Sequence, residues 1–329
     1  MAILEVKELK MYYRTKGQTV HAVEDVSIQV NEGETFGLVG ESGCGKSATC
    51  RTIARLLPET GKILHGSVEF DGKDLVGLSE KEMTAIRGAG ISMVFQEPMT
   101  ALNPVLTIQQ QLYETLRRQK LSKEDMYRRA VELLRLVDIP EPESRMKQYI
   151  HQFSGGMRQR AMIAIALAAN PKLLLADEPT TALDVTIQHQ IIRLLNQLKD
   201  ELHMSVVLVT HDLGVVRQMC DTVAVMYAGY VVETGPCGAV LDMPAHPYTM
   251  GLIRSLPRDK DDRKRLDPIP GLPPDLSQKI EGCPFAPRCS YCTQLCREQM
   301  PPLQELGGGR SVRCHHAISI EAGGDSHVQ

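Results

Sequence analysis

Short apolar runs alternate with longer amphipathic segments along the first 255 residues of the chain. The apolar runs, rich in valine, isoleucine and leucine, are residues 34–40, 91–95, 172–176 and 205–210. The segments between them that fit a helical period are residues 46–57, 157–169 and 186–203. Short strands without a polar face are typical of a sheet that helices cover on both sides. The pattern therefore predicts an α/β domain with a mainly parallel sheet.

Residues 107–150 interrupt this alternation of strands and helices. Thr107 and Ser122 stand at positions suited to helix N-caps, each ahead of a helix-forming segment of about ten to fifteen residues. We expect these helices to form an inserted helical subdomain at about residues 100–165.

The last part of the chain differs in composition. Residues 258–265 are all charged and predict a solvated linker, so we expect a boundary near residue 256. The boundary separates a domain of residues 1–255 from an extension of residues 256–329. The extension holds 9 of the 19 prolines and five of the nine cysteines, which leaves little apolar material for a core. Small units of this kind usually need a staple, such as a metal or a disulfide.

Overall composition excludes several classes of protein. Hydrophobic residues make up 43% of the chain and the net charge is −3, which excludes disorder and argues against an overall basic surface for nucleic acid. The richest apolar run, residues 161–169, is about half the length of a membrane span. The N-terminus lacks a basic-then-apolar signal pattern. We expect a cytosolic chain whose cysteines are thiols or metal ligands, with Cys50, Cys220 and Cys237 in structural roles.

Residues 40–47 fit the phosphate-binding pattern G-x-x-x-x-G-K-[ST], after a predicted strand and at the start of a predicted helix. Glycines let backbone N–H groups turn toward phosphate oxygens, and the helix start adds its positive dipole end. Lys46 is expected to reach the β- and γ-phosphates, and Ser47 to ligate Mg²⁺. The loop residues expected to contact the nucleotide are Gly40, Ser42, Gly43, Cys44, Gly45, Lys46, Ser47 and Ala48.

A second candidate metal ligand ends the predicted strand at residues 172–176. Asp177 and Glu178 follow it directly. In an open parallel sheet ligands bind at the carboxyl ends of the strands, so Asp177 would hold Mg²⁺ and Glu178 would polarise an attacking water as general base. Taken alone, the pair would be a solvated acidic turn. The phosphate-binding loop in the same chain favours the catalytic interpretation.

Further motifs lie between and after these elements, at residues 94–96 (Val-Phe-Gln), 153–160 (Phe-Ser-Gly-Gly-Met-Arg-Gln-Arg), 181–184 (Thr-Ala-Leu-Asp) and 210–212 (Thr-His-Asp). In this order and spacing the chain resembles the nucleotide-binding domain of an ATP-binding cassette (ABC) protein. The resemblance implies a P-loop ABC ATPase fold, with a mainly parallel sheet core, an antiparallel β subdomain and a helical subdomain.

The resemblance also implies roles for individual residues. Tyr13 would stack on adenine, with Tyr12 as the alternative. Gln96 would sense the γ-phosphate, approach Mg²⁺ and touch a membrane subunit, and His211 would hold the γ-phosphate. Contacts to a second subunit and to the ATP bound there would come from Ser154, Gly155, Gly156 and Asp184. Met157 replaces the glutamine of the commonest signature, so the two ATP sites of such a dimer are not expected to be identical.

Residues 95–104 and 246–249 resemble the dipeptide/oligopeptide permease ATPases, and residues 153–160 resemble the D-type subunit of that branch. That resemblance implies a heteromeric peptide importer. Its partners would be an F-type ATPase subunit, two transmembrane subunits and an extracytoplasmic peptide-binding protein, with this chain peripheral on the cytoplasmic face of the inner membrane and no nucleic acid bound. The alternatives are a soluble ABC ATPase acting on nucleic acid or ribosomes, and an importer of another solute such as a nickel chelate.

The cysteines of the extension also follow a pattern of that family. Cys283, Cys289, Cys296 and Cys314 resemble a four-cysteine set associated with a [4Fe–4S] cluster in some members, and four thiolates suit such a cluster. Zinc is an alternative, because Cys289 and Cys292 have zinc-knuckle spacing and two histidines follow Cys314. Unligated thiols are the third interpretation, and the role of Cys292 stays open.

Overall fold

The structure is a computed structural model that describes residues 1–15, 17–255 and 268–317. The strands are β1 (Ala2–Thr15), β2 (Gln18–Asn31), β3 (Thr35–Val39), β4 (Gly61–Phe70), β5 (Lys73–Asp74), β6 (Ile91–Val94), β7 (Leu173–Asp177), β8 (Ser205–Thr210), β9 (Thr222–Tyr227), β10 (Tyr230–Pro236), β11 (Leu303–Gly307) and β12 (Arg310–Arg313). The helices are α1 (Lys46–Ile53), α2 (Glu80–Ile86), α3 (Pro98–Ala101), α4 (Ile108–Leu116), α5 (Lys123–Leu136), α6 (Pro142–Arg145), α7 (Gly155–Leu167), α8 (Val185–Leu202), α9 (Leu213–Met219), α10 (Cys237–Asp242), α11 (Pro247–Arg254) and α12 (Gln294–Glu298). The predicted linker at residues 258–265 lies outside the described residues.

A parallel sheet forms the centre of the molecule, in the order β9-β3-β8-β7-β6. Every residue of β3, β7 and β8 is buried, because helices cover one face and α1 together with the antiparallel strands covers the other. This confirms the predicted α/β core. The carboxyl ends of β3, β7 and β8 are neighbours at one edge of the sheet, which places the phosphate-binding loop, the two acids and His211 side by side.

The predicted helix at residues 46–57 is wrong at its end. The helix α1 begins at Lys46 but ends at Ile53. Arg55 takes a left-handed backbone conformation (φ 51°), and its guanidinium donates to the carbonyl oxygen of Leu75 at 3.0 Å. The chain therefore turns at Arg55, ahead of Pro58, and the hydrogen bond to Leu75 accompanies this turn.

An antiparallel layer continues the sheet: β1 pairs with both β2 and β4, and β4 pairs with β5. The hydrophobic pattern of residues 1–31 did not predict these strands. The pairing of β1 shifts register several times, and Glu8 takes a left-handed conformation (φ 47°), so the alternation of apolar and polar positions breaks along the strand. Only the family resemblance pointed to an antiparallel subdomain.

The helical insertion contains α3 to α7. Both predicted N-caps are confirmed: the Thr107 hydroxyl accepts from the Gln110 N–H at 3.3 Å, and the Ser122 hydroxyl from the Asp125 N–H at 3.1 Å. The inward faces of α4, α5 and α7 join the same hydrophobic core as the parallel sheet. Within the described ranges, no helix is long and apolar enough to cross a bilayer.

Residues 268–317 pack against the preceding α/β domain rather than forming a core of their own. Strand β12 pairs with β10, and Phe285 belongs to the main core. Two buried arginines add ion pairs, Arg310 with Glu233 at 3.1 Å and Arg313 with Asp25 at 2.7 Å. These contacts agree with the expectation that this segment has little core of its own. Its apolar residues pack against the preceding α/β domain instead.

Candidate nucleotide site

Two glycines shape the loop at residues 40–47. Gly45 has φ 108° and caps α1, and a Cβ there would lie 2.3 Å from the carbonyl oxygen of Ala22. A Cβ on Gly40 would lie 2.2 Å from the carbonyl oxygen of Met226. Both positions therefore require glycine, and the turn they make ends at the N-terminus of a helix, where backbone N–H groups suit an anion.

The ammonium group of Lys46 lies within the loop. Its side chain leads inward, the residue is only 4% exposed, and Nζ donates to the carbonyl oxygens of Gly40 and Glu41, both at 2.8 Å. A lysine held in this way presents its positive charge to the space that the loop encloses. The arrangement suits a bound phosphate.

Ser47 and Asp177 meet at the edge of the sheet, where the Ser47 hydroxyl donates to Asp177 Oδ1 at 2.7 Å. The second oxygen, Oδ2, is buried and accepts no hydrogen bond from the described residues. Burial raises the pKa of the Asp177 carboxyl, opposed by the bond from Ser47. A hydroxyl and a carboxylate with a buried oxygen to spare fit Mg²⁺, which prefers oxygen ligands.

The Glu178 carboxylate lies among three polar side chains. Gln96 Nε2 and Thr181 Oγ1 each donate to Oε2 at 2.8 Å, and His211 Nδ1 lies 3.7 Å from Oε1. The structure thus joins Gln96, Glu178 and His211, which stand far apart in the sequence. Gln96 contacts Glu178 and makes no hydrogen bond to Ser47 or Asp177. A carboxylate held by two donors on one oxygen can accept a proton from water at the other.

The two tyrosines that the sequence left as alternatives have different surroundings. The Tyr12 hydroxyl donates to Glu24 at 2.8 Å, and its ring tilts against His21 at 4.2 Å between centroids. Tyr13 is half-buried beside Gly61; burial raises the pKa of its hydroxyl, and the charge of Arg51 on α1 opposes this. Tyr13 therefore lies near the helix that follows the phosphate-binding loop.

The signature residues lie apart from the loop. Ser154 caps α7 by accepting from the Met157 N–H at 3.3 Å, and Asp184 caps α8 by accepting from Ile187 at 2.9 Å. Gly156 faces α8, where a Cβ would approach Ile187 Cγ2 to 2.9 Å. Across the described residues, no hydrogen bond or ion pair joins Ser154, Gly155, Gly156 or Asp184 to the loop of the same chain. Their predicted contact with ATP bound to another subunit stays a prediction.

Four cysteines of the extension line one cavity of about 10 Å³: Cys283, Cys289, Cys296 and Cys314. Backbone N–H groups approach two of the sulfurs, Tyr291 to Cys289 at 3.4 Å and His316 to Cys314 at 3.3 Å. Burial raises the pKa of Cys283 to about 12 and that of Cys314 to about 11.

The cluster stays a prediction, because the residue types suit it but the described residues contain no group arranged to hold a metal. Four thiols around one cavity supply the ligands that a [4Fe–4S] cluster takes, and N–H donors to sulfur are usual around such groups. Among residues 1–15, 17–255 and 268–317, no group of three histidine, cysteine or acidic side chains is arranged to hold one metal ion. Cys292 does not line the cavity and points its thiol to the Thr293 carbonyl oxygen at 3.5 Å.

Sequence reasoning missed two residues that connect the phosphate-binding loop with the cysteine-bearing segment, Glu41 and Arg288. Glu41 occupies a variable position of the phosphate-binding pattern, and Arg288 lies between two of the cysteines. They form an ion pair across 247 positions of the chain. Neither position carries a motif that could have indicated the pair.

Comparison with known proteins gives two family matches. Residues 23–181 match the family described as ABC transporter, and residues 232–296 match the one described as oligopeptide/dipeptide transporter, C-terminal region. The second match spans the predicted boundary near residue 256 and includes three of the four cavity cysteines.

Two curated relatives extend the similarity over nearly the whole chain. The oligopeptide transport ATP-binding protein OppD of Bacillus subtilis (strain 168) is 51% identical over 314 residues, which cover 94% of this chain and 88% of the relative. The dipeptide transport ATP-binding protein DppD of Escherichia coli (strain K12) is 46% identical over 319 residues, which cover 97% and 98%. Among solved structures, a dimeric post-hydrolysis state of the ATP-binding cassette MJ0796 bound to ADP and Pi is similar with a TM-score of 0.64 and 32% identity, over 71% of this chain and 98% of that one.

Proposed function

The chain belongs to the ABC transporter family, among the ATP-binding proteins of oligopeptide and dipeptide transport, and we propose that it is the ATP-hydrolysing subunit of a membrane importer for short peptides. The observation that carries this proposal is similarity to peptide-transport relatives over 94% or more of the chain, including the C-terminal region. These relatives favour the peptide importer over a soluble ATPase acting on nucleic acid or ribosomes.

The geometry supports hydrolysis at the edge of the sheet. The loop and Lys46 bind the phosphates. Ser47 and Asp177 would hold Mg²⁺, which would supply positive charge to the phosphates. Glu178 orients a water and takes its proton as the oxygen attacks the γ-phosphorus, and ADP leaves. His211 and Gln96, both beside Glu178, contact the γ-phosphate side.

We further propose that this subunit works in a nucleotide sandwich with a second ATPase subunit of the F type. Ser154, Gly155, Gly156 and Asp184 lie at the starts of two helices without bonds to the loop of their own chain in the described part. In the sandwich they contact ATP on the partner. The similar cassette MJ0796 is dimeric with ADP and Pi bound.

The remaining parts of the proposed importer lie outside this chain. Two transmembrane subunits would form the pathway, an extracytoplasmic protein would deliver peptides, and this subunit would be peripheral on the cytoplasmic face of the inner membrane. Uptake of a radiolabelled dipeptide by cells that lack the gene tests the function. Wild type is expected to restore uptake and Glu178→Gln is not, with Glu201→Gln as a control on the exposed surface of α8. Restored uptake of a nickel chelate but not of dipeptides would overturn the peptide assignment.

We also propose that the four cavity cysteines hold a [4Fe–4S] cluster and that residues 256–329 form a distinct extension. The cluster would fix the extension, whose apolar residues rely on the ATPase fold. Iron, sulfide and zinc are measured on protein purified without oxygen, with a visible spectrum. Cys296→Ser is expected to lose iron and absorbance, while Cys292→Ser, outside the cavity, keeps both. Zinc without iron, or no metal in wild type, would overturn the cluster.

A further inference from the structure

A partly buried ion pair joins the extension to the phosphate-binding loop. Arg288 Nη1 lies 2.6 Å from Glu41 Oε2, and Nη2 lies 3.0 Å from Glu41 Oε1, so the guanidinium binds the carboxylate with two parallel hydrogen bonds. Only 4% of the Arg288 side chain is exposed. Its other donors reach the Tyr227 hydroxyl at 3.2 Å and the Pro270 carbonyl oxygen at 2.9 Å. Such two-bond pairs fix direction as well as distance.

Glu41 is held at three points, and one of them is the Lys46 ammonium. Its side chain binds Arg288, its N–H donates to the Tyr248 hydroxyl at 2.8 Å, and its carbonyl oxygen accepts from Lys46 Nζ at 2.8 Å. A shift of Glu41 therefore moves a carbonyl oxygen that positions Lys46. Residue 41 also sits directly after Gly40, whose carbonyl oxygen is the other acceptor for Lys46.

The segment between two cavity cysteines places Arg288. Phe285 packs edge-on against Tyr227 at 5.3 Å between centroids and lies 5.4 Å from Tyr248. A single 3₁₀ turn then carries the chain to Arg288, whose guanidinium carbon lies 5.7 Å from the centre of the Tyr227 ring. Cys283 and Cys289 stand at the two ends of this segment and line the cysteine cavity. The segment that carries the arginine is thus packed against aromatic rings, and a cavity-lining cysteine stands at each of its ends.

We propose that Arg288 is a positioning residue for the nucleotide site, which acts through Glu41 to hold the phosphate-binding loop and Lys46 in their binding conformation. The proposal rests on the proposed ATP binding and adds to it a dependence on the cysteine-bearing segment. An ordinary structural pair would only fasten the extension to the ATPase fold. The contact of Glu41 with Lys46 distinguishes a positioning role from a purely structural one, because it makes nucleotide affinity depend on the Arg288–Glu41 pair.

Arg313 provides the matched control. Like Arg288, it is a largely buried arginine of the extension, 10% exposed, and pairs with a carboxylate of the ATPase fold, Asp25, at 2.7 Å. It contacts no residue of the loop at 40–47 through a hydrogen bond or ion pair in the described part of the chain. A change there loosens the extension without reaching Lys46.

The test measures binding of a fluorescent ATP analogue to the full chain, together with hydrogen exchange of residues 40–47. Arg288→Ala is expected to raise Kd about tenfold and speed exchange in the loop, as for loss of a partly buried charged pair. Arg288→Lys keeps the charge but loses the planar two-bond contact, and is expected to lie between wild type and alanine. Arg313→Ala is expected to keep Kd within about twofold, since effects at distant sites are independent.

A cycle with Glu41→Gln completes the design. If Arg288 acts through Glu41, the double variant is weakened no further than Arg288→Ala alone. Wild-type affinity in Arg288→Ala, additive effects in the cycle, or equal weakening in Arg313→Ala would each overturn the proposal. Should Arg288→Ala not fold, Arg288→Lys and Glu41→Gln decide by the same measurements. Failure of the wild-type chain to bind the analogue would instead overturn the proposed function.

Discussion

The Ser47 hydroxyl donates to Asp177 Oδ1 at 2.7 Å, although 130 positions separate the two residues in the chain. The bond joins the helix after the phosphate-binding loop to the end of β7. Asp177 keeps its second oxygen buried and without a described partner. The pair therefore offers oxygen atoms of the kind that Mg²⁺ prefers as ligands.

Asp177→Asn is expected to reduce strongly the gain in ATP affinity that Mg²⁺ provides. Asparagine keeps the shape of the side chain and removes the charge that attracts the cation, so the gain in affinity on adding Mg²⁺ should fall by at least about tenfold. Calorimetric titration of ATP with and without Mg²⁺ measures this gain. Asp200→Asn, at an exposed position of α8, is the control. An unchanged response to Mg²⁺ in Asp177→Asn would show that the cation is held elsewhere.

Glu178→Gln is expected to bind ATP like wild type and to lose about 10²–10⁴-fold in hydrolysis rate. Glutamine preserves an oxygen that accepts from Gln96 and Thr181 but cannot take a proton from water. Turnover is measured by phosphate release, and binding by titration on the same preparation. Glu201→Gln serves as the control. Hydrolysis that survives in Glu178→Gln would mean that another group is the base.

The sequence predicted those candidate site residues that belong to a contiguous motif or that end a strand. Lys46 and Ser47 belong to a loop motif between a strand and a helix, and Asp177 is a carboxylate at a strand end. Both features can be recognised in the sequence alone. The pair of Glu41 and Arg288 has no such feature. Its two members belong to distant segments of the chain, and the packing of Tyr227 against Tyr248 and Phe285 helps to bring those segments together.

The same contrast holds for the fold. The strands β3, β6, β7 and β8 were predictable because every position in them is buried, whereas β1 was not, because its register shifts break the alternation of apolar and polar residues. The hydrophobic pattern also did not predict where α1 ends. A left-handed residue and a bond from Arg55 to another segment end α1 early, and neither follows from periodicity.

Gly45→Ala is expected to destabilise the chain by more than about 1 kcal/mol and to prevent ATP binding. The methyl group meets the Ala22 carbonyl oxygen, and φ of 108° is strained for alanine. Gly77 is the matched control, because a Cβ there has no neighbour within 4 Å and its φ is not positive. Thermal unfolding and ATP titration compare the two variants. Equal behaviour would mean that the loop adapts to a side chain at residue 45.

Tyr13→Ala is expected to weaken ATP binding about tenfold, since stacking of a base on an aromatic ring contributes roughly 1–3 kcal/mol. Tyr12→Phe is the paired variant. It removes the hydroxyl that donates to Glu24 but leaves the ring, so it should alter the stability of the β1–β2 region and leave nucleotide affinity unchanged. Titration of ATP and of a triphosphate without a base separates the contributions, because a loss through stacking disappears for the second ligand. Weakened binding of both ligands in Tyr13→Ala would instead place the effect at the neighbouring helix α1, where Arg51 faces the tyrosine.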